Sequence, residues 1–494
     1  MERTQGNKVK FWISLVVLLC VSIFTHFYRI DHTFTFHNDE ARDVLIVKKM
    51  IDTGKPVLLG PQTSVGNMYL GPLYYYLMLP PLLISNMNPV GPAIMVGIFG
   101  VATTLLLFLY AYRKYGLNSG IMAGMVYALT PIMINYSRAS WNPNIVPFFA
   151  TLLLFIFDSK NKLSWLCLGL CAGVIFQLHY VALSAVALVL MAKLWGEKKW
   201  FLGLILVFMG FLITSMPFWL FEIRHGFVNS GAFLTYLKDG DGKGAIDSTY
   251  ISRLYANSTL VFKGIIASSS IMLTQVNPLI ILLAGVLFLF ALPLISGGWF
   301  LWYLILGTLF FVSLLKSTIN VHYISHLFPV IAMGFATLIS SSKLYIKYLA
   351  LLLVSYLFIW SIPTLIYNLH TIDSSQTKRA QGVADYIVRE ANGRKYNIFG
   401  TQGTFTTSVE YYLSLSNNHP SIDVAGIAFD ICDDKSCPLD DETNTLIFAT
   451  GPTHPAISEY LGHPTINEFA IPRKIINNER VVYSTWVATM TLDH

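Results

Sequence analysis

Apolar runs of about 20 residues recur along the chain to about residue 367 and then stop. They fall at roughly 10–29, 90–112, 119–136, 145–158, 163–179, 181–195, 200–217, 278–296, 298–315, 322–340 and 345–367. Twenty helical residues rise about 30 Å, the thickness of a bilayer's hydrocarbon core. The pattern predicts a polytopic α-helical membrane protein with about eleven transmembrane helices. One more apolar stretch, 71–86 (GPLYYYLMLPPLLISN), is short and broken by Pro80-Pro81. Loop charge decides its place. With 71–86 left out of the count, Arg113/Lys114, Lys160/Lys162, Lys193/Lys198/Lys199 and Lys343/Lys347 share the side of the basic N-terminus (Arg3, Lys8, Lys10). That is the bias of cytoplasmic loops. Counting 71–86 as a span would reverse it. The stretch is therefore expected to be an interfacial helix, its tyrosines at headgroup level. The N-terminus is then cytoplasmic and the C-terminus outside. Phe11–Tyr28 is longer than a signal-peptide core and no small-x-small cleavage site follows it, so it is expected to remain as the first span.

Four pieces then lie outside: a first loop at about 30–89, a short loop around 136–144, a loop at about 218–277, and the tail. The membrane domain is expected over 1–367. The polar tail, 368–494, alternates strand-like runs (Tyr396–Phe399, Thr445–Ala449, Val481–Val487) with helix-like ones (Ser408–Leu415, Ala456–Leu461). This predicts a small extracytoplasmic α/β domain with its own core.

Composition agrees. The 494 residues are 54% hydrophobic and 12% charged, where a soluble protein carries about 25% charged residues. The net charge of +6 says little about partners, because many basic residues fall in loops that set topology; nothing points to nucleic acid. Cys20, Cys167 and Cys171 lie in apolar runs and read as packing residues. Cys432 and Cys437 lie in the tail, where export would permit a short-loop disulfide. The sequence has no Walker A loop, no GxGxxG before a helix, no HExxH and no nucleophile elbow.

The chemistry concentrates where the first span ends, at His37-Asn38-Asp39-Glu40-Ala41-Arg42. Charges at a membrane exit are costly unless paired, hydrated or used. Asp39 could cap the amphipathic helix that follows; equally, the pair offers a general base for a hydroxyl acceptor, or metal ligands. The predicted topology places cations and polar rings on the same side: Arg138 before Trp141-Asn142-Pro143-Asn144, His179-Tyr180, Glu222 with Arg224 and His225, and Lys316 with His322, Tyr323 and His326. Each alone reads as a headgroup anchor. Together they suit a phosphate-linked lipid, with Arg and His neutralising charge that grows as a sugar leaves. Trp141, Tyr180 and Trp219 could stack on a sugar face. A transporter or flippase of lipid-linked glycans is the alternative. It sits poorly with spans nearly free of Asp, Glu, Lys and Arg.

Three features carry a family resemblance: Asp39-Glu40-Ala41-Arg42 after the first span; Gly71-Pro72-Leu73-Tyr74-Tyr75 opening the interfacial helix; and the strings Ser137-Arg138 to Asn144 and Phe221 to Phe227. Over about residues 1–370 the chain resembles the membrane glycosyltransferases of the C-type fold, in the branch of protein O-mannosyltransferases and aminoarabinose transferases (glycosyltransferase family 39-like). The resemblance implies a polyprenyl-phosphate sugar donor, a glycan, lipid or protein acceptor on the outer face, and an inverting transfer with Asp39 as base. Glu40 is expected beside it as a catalytic residue that positions Asp39, holds the acceptor or, with Asp39, helps to bind a divalent metal ion if one takes part. Arg42 and Tyr74 belong to the matching motifs and are expected to bind substrate. Two departures stand out. Relatives often carry another acid where this chain has Asn142 and Asn144. Their Lys-Pro-Pro-Leu is here Gly71-Pro72-Leu73, which removes a cation that Arg138, Arg224 or His225 would have to replace.

Overall fold

The computed structural model describes residues 2–63, 68–196, 200–239, 249–262, 278–316, 319–370, 376–402, 406–421, 425–432, 473–482 and 485–492. The helices are α1 (Glu2–Phe27), α2 (Ile30–Thr33), α3 (Asn38–Thr53), α4 (Leu73–Ile84), α5 (Val90–Tyr115), α6 (Leu117–Leu129), α7 (Pro131–Tyr136), α8 (Val146–Asp158), α9 (Leu163–Leu178) and α10 (Leu183–Gly196). They continue with α11 (Trp200–Arg224), α12 (Val228–Asp239), α13 (Tyr250–Val261), α14 (Pro278–Ala291), α15 (Gly298–Leu314), α16 (Leu327–Ile339), α17 (Leu344–His370), α18 (Gln376–Ala391) and α19 (Thr406–Leu415). The strands are β1 (Tyr396–Gln402), β2 (Ile427–Cys432), β3 (Arg473–Val482) and β4 (Thr485–Leu492). Two compact units result. One comprises Met1–Ile30, Leu58–Leu77 and Pro92–Ile372; the other comprises Asp31–Val57, Met78–Gly91 and Asp373–His494.

The first unit is the helical one. Among the described residues four helices are long and apolar enough to cross a membrane, within α1, α5, α11 and α17, and shorter apolar helices accompany them. The expected run 119–136 is broken at Thr130. Pro131 drives Thr130 to an extended conformation (φ −81°, ψ 116°), which ends α6 and starts α7. Two of the three tyrosines of α4 are packed inside the protein and not at its surface, where a headgroup anchor would be; Tyr76 is half-buried. Tyr74 and Tyr75 are fully buried, and the Tyr74 hydroxyl lies 3.0 Å from Ser140 Oγ.

Helices α9 and α11 pack backbone to backbone, as small residues permit in a medium with no hydrophobic drive between helices. A Cβ on Gly210 would lie 2.7 Å from Leu170 N and 3.0 Å from Gly169 C, backbone atoms that cannot give way. Thr214 Oγ1 donates across to Leu170 O at 3.2 Å, and Gln177 Nε2 to Thr214 O at 2.7 Å. Gly210→Leu is therefore expected to lower the thermal midpoint of the detergent-purified protein by several degrees, an overpacking cost of about 1–3 kcal/mol. Gly196→Ala, where a Cβ meets nothing within 4 Å, is the matched control. Equal midpoints for the two variants would refute the close packing.

The second unit holds a four-stranded sheet in the order β1-β2-β4-β3. β1 and β2 are parallel, joined through α19, and β4 runs antiparallel to both of its neighbours. Its core gathers Val383 and Ile387 of the amphipathic α18, Tyr396, Val409, Leu413, Phe429 and Val487. The expected strand Val481–Val487 is two strands, because the register pairs Val482 with Thr485 and turns the chain back on itself. The expected runs Thr445–Ala449 and Ala456–Leu461 lie outside the described residues. Cys432 is disulfide-bonded; Cys437 also lies outside the described residues.

Candidate functional site

In the second unit, α3 carries the acids. Its inward face is Ala41, Val44, Val47 and Met50, and Gly54 ends it in the left-handed conformation (φ 65°) that glycine adopts freely. The N-cap is His37, not Asp39. Glu40 reaches back to accept the His37 backbone N–H at 3.1 Å and the Thr35 hydroxyl at 2.8 Å. Each Glu40 oxygen thus accepts one hydrogen bond, and only 7% of the residue is exposed. Adjacent helical residues point about 100° apart, so Glu40 faces away from its neighbour. The bonds it makes order the first turn of α3 beside Asp39. Among the described residues no group of three or more His, Cys, Asp or Glu is gathered for a metal.

Asp39 is different. Arg42 Nη1 donates to its Oδ1 at 2.8 Å, and the carboxylate side chain is 48% exposed. Its Oδ2 has no partner among the described residues. Arg42 is in turn held by Asp43, whose Oδ1 accepts from Nε at 3.0 Å and from Nη2 at 2.8 Å. Asp43 is fully buried. One guanidinium therefore bridges a buried carboxylate and an open one. Sequence reasoning passed over Asp43, although a signal existed: it is an acid on the same helical stripe as Val47 and Met50, where an amphipathic helix keeps apolar residues.

In the first unit several candidates serve helix ends. Arg138, 4% exposed, donates to Thr25 O, in the last turn of α1, at 2.9 Å and to Tyr28 O, just beyond it, at 2.8 Å. The string Phe221–Phe227 is a helix C-cap: Gly226 and Phe227 take positive φ (67° and 60°), and Phe227 N–H returns to Glu222 O at 2.8 Å. The His225 ring stacks on Phe221 at 4.0 Å and bonds its carbonyl through Nδ1 at 2.8 Å. Glu222, fully buried, accepts the backbone N–H groups of Asn229 (3.1 Å) and Ser230 (2.7 Å) and the Ser230 hydroxyl, capping α12. Asn229, also absent from the candidates, clasps the Tyr69 backbone: Oδ1 accepts its N–H at 2.6 Å and Nδ2 donates to its C=O at 2.9 Å. Tyr180 donates its hydroxyl to the same carbonyl. Arg224 alone of the proposed phosphate cations is exposed and makes no hydrogen bond or ion pair among the described residues.

Gly71 sits where its neighbours leave no room for a side chain. A Cβ there would run into Gln177 (Oε1 2.7 Å, Cδ 2.8 Å), and its carbonyl presses on Gly60. Gln177 cannot swing away, because Nε2 is held by Gly173 O at 3.0 Å as well as by Thr214 O.

The remaining candidates converge. Three 3₁₀ turns, Asn142–Ile145, Tyr180–Ala182 and Val321–Ile324, each lead towards an apolar helix (α8, α10 and α16), and the third packs on the other two. Their rings cluster: His322 lies 4.2 Å from Trp141, 4.4 Å from Tyr323 and 6.0 Å from His179, and His179 lies 4.9 Å from Tyr323. His326 Nε2 is 3.3 Å from Ser184 Oγ and 3.2 Å from Thr308 Oγ1. Asn142 Nδ2 donates to Leu178 O at 2.6 Å and Asn144 Nδ2 to Ala139 O at 2.9 Å. The buried atoms His179 Nδ1, His326 Nδ1 and Asn144 Oδ1 have no hydrogen-bond partner among the described residues. Such atoms cost free energy until something bonds them. Asn142 and Asn144, read as lost acids, are thus parts of this cluster.

Comparison with solved structures identifies the fold. The crystal structure of ArnT from Cupriavidus metallidurans bound to undecaprenyl phosphate aligns over 97% of this chain and 98% of that one, with a TM-score of 0.59 and 12% sequence identity. The apo state of the same protein gives a TM-score of 0.56 at the same identity, over 97% of each chain. The archaeal oligosaccharyltransferase AglB from Archaeoglobus fulgidus, in complex with an inhibitory peptide and a dolichol-phosphate, aligns over 81% of this chain and 63% of its own length, at 12% identity and a TM-score of 0.45. No protein-family model and no curated protein matches the chain. The C-type glycosyltransferase fold expected from the sequence is the fold the chain has.

Proposed function

We propose that the protein is an integral-membrane glycosyltransferase that moves a sugar from a polyprenyl-phosphate donor to a hydroxyl acceptor. The observation that carries this is Asp39: a half-exposed carboxylate with one oxygen fixed by Arg42 and the other open, in a chain with the fold of ArnT. The acceptor hydroxyl gives its proton to Asp39 Oδ2 as its oxygen bonds to the anomeric carbon. The bond from that carbon to the phosphate oxygen breaks in the same displacement, so the anomeric centre inverts and polyprenyl phosphate leaves. Arg224 is available to the anionic lipid phosphate. The ring cluster of Trp141, His179, His322 and Tyr323 suits a hydroxylated ring, with aromatic faces for stacking and, at His179 Nδ1, an unmet ring nitrogen for a hydroxyl. Helices start beyond its three turns, and helix N-termini favour a phosphate. Eleven spans, a cytoplasmic N-terminus and an outward tail complete the reading; they rest on loop charge. No step is routed through a metal.

The test is to incubate the purified protein with a panel of polyprenyl-phosphate sugars and mixed hydroxyl acceptors. Polyprenyl phosphate is expected to be released with at least one donor, in step with labelled acceptor. Lipid-linked glycan crossing liposome membranes with no release from any donor would put the flippase reading in its place.

A further inference from the structure

The segment that leads into α3 is held by the tail. Phe34–His37 has neither helical nor strand structure, so its backbone groups need other partners. Phe36 N–H donates to Gln376 Oε1 at 2.5 Å, and Phe36 C=O accepts from Ser408 Oγ at 2.7 Å. With Oε1 committed to an N–H, the Gln376 amide presents Nε2 to His37 Nε2 at 2.9 Å. The Phe36 ring, 1% exposed, meets Tyr411 and Tyr412 edge-on at 5.7 and 6.2 Å. The Tyr411 hydroxyl donates to Met87 O at 2.5 Å, where Asn86 and Met87 both take positive φ (53° and 64°). Burial raises both phenols, Tyr412 to about 12, so Tyr411 stays a donor. Glu40 closes the arrangement from the other side through Thr35 and His37.

We infer that the C-terminal unit is a positioning device for the proposed transfer: Gln376, Ser408 and Tyr411 fix Phe36 and His37, and through them the first turn of α3 and the direction of Asp39. The inference rests on Asp39 as base. A general base works only within hydrogen-bond reach of the proton it takes, and a displacement of about 1 Å by a residue far from the chemistry costs about a hundredfold in rate. Gln376, Ser408 and Tyr411 act on Asp39 through Phe36 and His37, so loosening them acts on kcat and spares donor KM.

Full-length Gln376→Leu, Ser408→Ala and Tyr411→Phe, with Gln376→Glu and Asp39→Asn beside them, test this. Gln376→Leu is expected to lower kcat by about ten- to a hundredfold, with donor KM within about twofold. Gln376→Glu keeps an acceptor for Phe36 N–H and recovers most of that loss. Amide exchange at residues 34–40 quickens in Gln376→Leu and Ser408→Ala, a reading independent of activity. If Gln376→Leu does not fold, Ser408→Ala and Tyr411→Phe carry the test. Wild-type kcat and exchange in the tail variants, with Asp39→Asn inactive, overturn the inference and leave the function standing. An active Asp39→Asn overturns the function, and the inference with it.

Discussion

Asp39→Asn is expected to lose about 10²–10⁴ of the transfer rate, the usual worth of a positioned general base. The substitution is nearly isosteric and leaves an oxygen for Arg42 Nη1, which now donates to Oδ1 at 2.8 Å, so insertion and thermal midpoint stay near wild type. What changes is the open oxygen, which can no longer take the acceptor's proton. Glu40→Gln is the informative neighbour. Its carboxylate caps α3, so its loss costs about 1 kcal/mol of stability and lowers the rate only through the direction of Asp39, by less than Asp39→Asn does. The pair separates the adjacent acids by measurement: the rate of polyprenyl phosphate release responds more to position 39, and the thermal midpoint more to position 40. Equal rates for Asp39→Asn and wild type would sink the assignment.

The apolar helices were legible because a bilayer demands long apolar runs whose backbone groups are satisfied within the helix. The predicted run 163–179 and the helix Leu163–Leu178 differ by one residue. Side-chain roles were less legible, for two physical reasons. Residues that cap helices use the same chemistry as residues that bind substrates: Arg138 and His225 looked like ligands for a phosphate and Glu222 like one for a substrate, and their polar groups go to helix ends. The other reason is distance along the chain. Asn229 bonds Tyr69 across 160 residues and Gln376 bonds Phe36 across 340; no spacing rule sees such pairs. Asp43 is the case where the pattern did speak, since a fully buried acid on an apolar stripe requires a cation, and Arg42 is adjacent.

That pair gives the second large effect. Asp43→Asn is expected to destabilise the protein by about 3 kcal/mol, the low end for breaking a buried ion pair, because 27% of the Arg42 side chain stays exposed and Asp39 remains its partner. The rate should fall as well. Released from Asp43, the guanidinium turns its remaining donors on Asp39 and occupies the oxygen that the acceptor's proton needs. Replacing both partners by apolar residues, Arg42→Met with Asp43→Leu, removes the unpaired charge, and such exchanges are often neutral for stability. The double variant is therefore expected to regain most of the lost thermal midpoint while its rate stays low, because nothing then directs Asp39. A double variant that regained both would assign Arg42 and Asp43 to packing alone. One that regained neither would show that the Asp43 carboxylate has a structural duty beyond holding Arg42.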